Sequence, residues 1–152
     1  MNEWLIVIFL SMLPFGELRA SIPTGIALGL NPISVFIMAV IFNSLIIVAI
    51  WAILDSLHDG LMEFRLYSRL FNRYIEKSRK KMERFIGTEK EAWGVFLLTA
   101  IPFPLTGAYT AAILSWFFNL NRKMAAKAIV LGVFVAGLIV MGVSLGLLKW
   151  LF

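Results

Sequence analysis

"PFGELRASIP", residues 14–23, interrupts a chain that otherwise reads as lipid-facing. Met1 to Leu13 is nearly all apolar and Thr24 to Leu54 carries no charge, yet Glu17 and Arg19 stand between Pro14 and Pro23. Proline removes a backbone donor and clashes with the preceding helical turn. Residues 4–13 rise only ~15 Å before Pro14, half of a ~30 Å hydrocarbon core. Residues 22–30 return a similar distance. The spacing predicts two half-helices joined by a break at mid-membrane depth, with both prolines at the break. The pattern recurs in "AIPFPLTGAYTAAILSWF" (100–117): residues 92–101 run to Pro102 and Pro104, and residues 107–118 come back from Gly107.

Composition puts this pattern in a membrane. Apolar residues make up 61% of the chain and charged residues 15%, against about 25% charged in soluble domains. The mean hydropathy is +0.89. There is no cysteine, which excludes disulfides, thiol chemistry and Cys-ligated zinc. Glu3 and the lack of an early basic residue argue against a signal-peptide n-region. Residues 33–54 and 128–148 are uncharged runs long enough to span. Asn31-Pro32 opens the first and Asp55 closes it. Asn121 and the basic RKMAAK run precede the second, and Lys149-Trp150 marks its far interface.

Charge chooses between topologies. Nine of the fourteen basic residues lie between Arg65 and Lys90, and Arg122, Lys123 and Lys127 add three more. Basic loops favour the cytoplasm. If 92–118 enters and returns on one side, all twelve lie inside. The rival, four kinked spanning helices, strands the second cluster outside. The expected fold is therefore an all-α integral membrane protein in one domain, 1–152. Its first repeat, 1–54, has a re-entrant hairpin at 4–30 and a transmembrane helix at 33–54. Its second, 92–152, has a re-entrant hairpin at 92–118 and a transmembrane helix at 128–150. A cytoplasmic amphipathic helix, 56–91, joins them, and both termini lie outside the cell membrane. An offset of 88 residues matches Pro14-Phe15 with Pro102-Phe103, Ala20 with Ala108 and Asn31 with Asn119. An odd number of crossings per repeat makes the repeats inverted, as in many secondary transporters.

The breaks carry the chemistry. Broken helices persist in lipid only where buried or lining a polar cavity, and each returning half-helix begins with unpaired N–H groups and a partial positive charge. With Arg19 on the first hairpin and Thr106, Tyr109 and Thr110 on the second, the set suits a phosphate-like anion. Charges within a membrane are read as functional, although Arg19 paired with Glu17 also has a plain structural reading. Glu17 is the candidate ion-coupling group, for a proton or sodium, and residues 17–19 are expected to be extended so that it shares a side with Arg19. Asn43, mid-span, is expected to bond across to another helix. His58 is expected at the surface. The pairs Gly25/Gly29 and Gly142/Gly146 read as internal packing faces. No metal set, cofactor or enzyme constellation is expected. The basic excess is accounted for by topology and anionic lipid headgroups, so no nucleic-acid partner is expected; a homo-oligomer remains open.

"PFGELRASIPTGIALGLNP" (14–32) and the 100–117 stretch closely resemble the two signature stretches of the putative small multidrug export protein family, which resembles the DedA / VTT-domain membrane proteins as a distant relative. The resemblance implies inverted repeats of hairpin plus transmembrane helix, and transport. The DedA likeness implies lipid-linked phosphates such as polyprenyl phosphate, coupled to protons or sodium. Those proteins place acidic residues in the first hairpin and arginine in the second. Here the second hairpin is uncharged and the arginine is in the first. The leading expectation is a small secondary transporter or lipid flippase for an anionic substrate. The alternatives are a multidrug or organic-cation exporter with Glu17 as the binding charge, and a non-transporting scaffold or scramblase-like protein.

Overall fold

The computed structural model describes residues 2–14, 16–65, 68, 69, 73, 89–102 and 107–151. Among the described residues, six helices with defined bounds follow in order: α1 (Glu3–Ser11), α2 (Glu17–Ala27), α3 (Pro32–Met62), α4 (Glu89–Ala100), α5 (Ala108–Phe117) and α6 (Arg122–Leu151). No strand occurs among the described residues. Two stretches, Pro32–His58 and Arg122–Gly146, are long and apolar enough to cross a membrane. Most of the expected 56–91 linker helix lies outside the described residues. Its opening turns belong to α3, which continues through Asp55 to Met62 instead of ending there.

α3 is apolar on all sides, as a lipid-embedded helix must be. Val35, Phe36, Ala39, Ile47, Ile50 and Trp51 are buried, while Ile33, Ile37, Ile41, Leu45 and Val48 form an exposed stripe at helical spacing. α6 repeats this, with Ala125, Ala128, Ile129, Val133 and Ala136 inward and Val130, Leu131, Phe134, Leu138 and Val143 outward. The small inward alanines let neighbours approach closely. Of the paired glycines, Gly25 is a packing position: a Cβ there would stand 2.7 Å from Val35 Cγ1 and 2.9 Å from Val7 Cγ2. Among the described residues Gly142 and Gly146 are not, since a Cβ at either meets none of them within 4 Å.

α1 and α2 pack on each other and on α3; α4 and α5 pack on each other and on α6. The two groups also interlock, because α2 reaches α6, α5 reaches α3, and α3 touches α6. The chain turns back between α4 and α5. Glu91, at the start of α4, accepts a hydrogen bond from the Asn121 N–H beyond α5 (2.9 Å).

The matched positions shift in register along the chain. Around the breaks the offset is 88: Ser11 Oγ donates to Val7 O (2.7 Å), and Thr99 Oγ1 to Val95 O (2.8 Å). Beyond them it is 90. Gly29 and Asn119 both take positive φ, +79° and +53°. Asn31 Oδ1 then accepts from the Ile33 and Ser34 N–H groups, and Asn121 Oδ1 from those of Lys123 and Met124. The cap made by Asn31 thus recurs at Asn121 rather than at Asn119.

Candidate functional site

The first break is short. α1 ends at Ser11, Pro14 stands in the turn, and α2 begins at Glu17. Glu17 has φ +45°, a left-handed conformation costing a non-glycine residue about 1–2 kcal/mol. Residues 17–19 are helical rather than extended. Pro23 does not break the chain; it lies inside α2, whose helix runs on to Ala27. It is the seventh of eleven residues, so its missing N–H forfeits the bond to the Arg19 carbonyl, and the helix is held by the burial of Leu18, Ser21, Ile22, Gly25 and Ile26 on either side of it.

The second break follows Ala100, with Pro102 just beyond α4. Pro104 and Thr106 lie outside the described residues. Gly107 precedes α5 with φ +145° and ψ −168°, a conformation open essentially to glycine alone. Its missing side chain matters as well, because a Cβ there would stand 2.7 Å from Glu17 Oε1 and 2.8 Å from its Cδ. Glu17 thus caps a helix ninety residues away in sequence. The Tyr109 N–H donates to Glu17 Oε1 in a long bond of 3.4 Å, and the Ala108 N–H serves the same carboxylate. A helix N-terminus favours such negative charge. In return, the Tyr109 hydroxyl donates to the Met12 carbonyl where α1 ends. Each break therefore satisfies backbone groups of the other.

Glu17, Arg19, Asn43, Thr99 and Gly107 line one small cavity of about 10 Å³, room for a single water. Glu17 and Arg19 reach it together through side-chain length, and the Arg19 charge acts on the carboxylate. Thr110, in the first turn of α5, does not line it. Asn43 was expected to bond across helices. It is instead fully buried, with neither amide nitrogen nor oxygen partnered among the described residues. An orphaned buried polar group costs about 1–3 kcal/mol. Thr99 is the site residue that the sequence does not single out, and Asn43 is singled out there only as a cross-helix bond. The available signal was a single carboxamide in an otherwise uncharged 22-residue span.

A second polar cluster pins one end of the bundle. Arg122 makes two hydrogen bonds to Asp55 (2.7 and 2.8 Å), and Trp116 Nε1 donates to the same carboxylate (2.7 Å). Trp51 Nε1 donates to Ala112 O (2.9 Å), and the Arg122 guanidinium lies 5.9 Å from the Trp51 ring centre. This neutralisation lets α3 run past Asp55. His58 is half-buried, edge-on to Trp116 at 5.3 Å, rather than a free surface residue.

No curated protein and no solved structure matches the chain. One family profile does, over residues 17–139, and its description is "Putative small multi-drug export protein". The match begins at Glu17 and covers α2 to α5 whole and α6 as far as residue 139. That name points to a membrane transporter rather than an enzyme. With its two membrane-length apolar helices and a match over most of its length, the chain belongs to the Putative small multi-drug export protein family.

Proposed function

We propose that this protein is a small ion-coupled secondary transporter for an anionic substrate, built as one membrane domain of two inverted repeats whose re-entrant hairpins meet near the midplane. The observation that carries the reading is the Glu17 carboxylate seated on the N-terminus of α5, beside Arg19, inside an otherwise apolar bundle. N–H groups and a guanidinium converging on one point make a seat for negative charge. The hairpin reading draws support from the Glu91–Asn121 bond, which brings both outer ends of α4–α5 together. The repeat reading draws support from the recurring turn and cap at Asn31 and Asn121. In this reading Glu17 and Arg19 face the substrate, Tyr109 holds the two breaks together, and Thr110 stands in the first turn of α5 beside them. A lipid-linked phosphate is the favoured cargo, and membrane lipid the immediate surroundings.

Export of an organic cation is the second reading. It is favoured by the family's name and by a buried carboxylate that could bind a positive charge. Reconstituted flux of a short-chain lipid phosphate against that of a hydrophobic cation separates the two, and flux of neither leaves a scaffold. Glu17→Gln is expected to uncouple anion flux from an imposed pH gradient while preserving exchange of bound substrate. Unchanged gradient dependence would leave Glu17 as a partner that merely holds Arg19.

Topology has its own test. Because the chain has no native cysteine, single-cysteine labelling is clean. A cysteine at Asn121 is expected to resist membrane-impermeant reagent in intact cells and to react after permeabilisation, with residues 56–91 on the same cytoplasmic side and both termini outside. External labelling at 121 would refute the second re-entrant hairpin.

A further inference from the structure

The anion seat is not empty, and its occupant belongs to the protein. A carboxylate already sits on the first N–H groups of α5. Next to it lies room for one water. Into the same cavity α3 places Asn43, fully buried and with both amide atoms unpartnered among the described residues. Thr99 cannot supply the missing donor, because its hydroxyl proton is committed to Val95 O (2.8 Å). Nothing in the packing requires a carboxamide there. A leucine, with the same branched outline, would avoid its desolvation cost.

We infer that Glu17 is a tethered competitor for the substrate's own site: a substrate oxyanion takes the seat on α5 by displacing the Glu17 carboxylate, and Asn43 supplies the donor that completes its binding. The inference rests on the anion reading above and sharpens it to a site and a ligand class. The seat holds a planar carboxylate with space for one more small group, so it fits a carboxylate or phosphate-type head. Two anions cannot share it, since like charges at contact distance disfavour joint ionisation. The oxyanion therefore enters when Glu17 carries a proton taken from the adjoining aqueous phase, and leaves as Glu17 gives that proton up. Arg19 on α2 and Tyr109 on α5 are the charged and titratable groups facing Glu17 among the described residues. α3 and α4 bring neutral Asn43 and Thr99, and α6 brings only apolar side chains. Proton and anion thus bind together, each raising the other's affinity by the same factor.

Calorimetric binding of inorganic sulfate to the full chain in lipid nanodiscs tests this, sulfate being an oxyanion whose charge is constant across neutral and mildly acidic pH. Wild type is expected to bind more tightly as pH falls, by up to about tenfold per unit, with one proton taken up per sulfate. Glu17→Gln is expected to bind more tightly than wild type by a margin that widens with rising pH, up to about tenfold per unit on the alkaline side, with no pH dependence of its own and no proton uptake. Asn43→Leu is expected to weaken binding about tenfold in both backgrounds while leaving the thermal midpoint unchanged or raised. If Asn43→Leu does not fold, Asn43→Ser is measured in its place. Undiminished sulfate binding in the folded Asn43 variant overturns the part given to Asn43. Weaker binding in Glu17→Gln than in wild type, or pH-independent binding in wild type, overturns displacement and leaves an anion site of another kind. No sulfate binding by any variant, with hydrophobic-cation flux intact, overturns the anion reading beneath it.

Discussion

Arg19→Ala protein in proteoliposomes is expected to lose anion flux by about 100-fold or more, the equivalent of the ~3 kcal/mol at stake when one partner of a buried charged set is removed. Arg19 lines the central cavity with Glu17, and its charge acts on that carboxylate. Removing it leaves an incoming anion with backbone N–H groups and one carboxamide but no full positive charge. Arg19→Lys should recover only part of the flux, because an ammonium lacks the planar fork that meets two oxygens at once. A structural role predicts something different. If Arg19 only neutralises Glu17, the double variant Arg19→Ala with Glu17→Gln removes both charges and should regain folding and flux together. If Arg19 binds substrate, the double variant should fold and still not transport. Circular dichroism and size-exclusion chromatography report the fold independently of flux. Normal flux in folded Arg19→Ala protein would move the site elsewhere.

Gly107→Ala is expected to be the most damaging methyl group that can be added to this chain, at about 2–4 kcal/mol of stability. Two costs combine. A backbone at φ +145°, ψ −168° is strained for any residue with a Cβ. The new Cβ would also overlap the Glu17 carboxylate, 2.7 Å from Oε1 and 2.8 Å from Cδ. Relief requires Glu17 to leave the α5 N-terminus, which uncaps that helix and strands a carboxylate in the core. Gly142→Ala is the control: a Cβ there meets none of the described residues within 4 Å, and alanine is the better helix former by roughly 0.5–1 kcal/mol. Thermal unfolding in detergent should therefore fall sharply for Gly107→Ala and hold or rise for Gly142→Ala. Equal midpoints for the two would show that Glu17 does not rest on Gly107.

What is local in this protein is legible in its amino acids. Apolar run length sets the two membrane-length helices, because burial of backbone polar groups in lipid leaves a helix as the economical solution. Pro14, Pro102 and Gly107 mark the ends of helices because each acts on its own φ or N–H. The same local reasoning misplaced Pro23, since the one intrahelical bond it forfeits is outweighed by the burial of Leu18, Ile22 and Ile26 around it. It also ended α3 at Asp55, since a lone aspartate closes an apolar helix unless an arginine and a tryptophan from other helices neutralise it.

The seat at the centre is of the second kind. Glu17 and Arg19 stood out as charges in a lipid-like run, but nothing within residues 14–23 says that the carboxylate caps a helix ninety residues on. Asn43 read as a cross-helix bond, and only the placement of α2, α4, α5 and α6 around it leaves it unpartnered beside Glu17. The clamp of Asp55, Trp116 and Arg122 was likewise invisible, being composed from three helices. Proline, glycine and apolar length act within one or two helical turns, so sequence order preserves their effect. A binding seat is made by the convergence of side chains distant in the chain, and that convergence exists only once α2 and α5 have packed between α3 and α6.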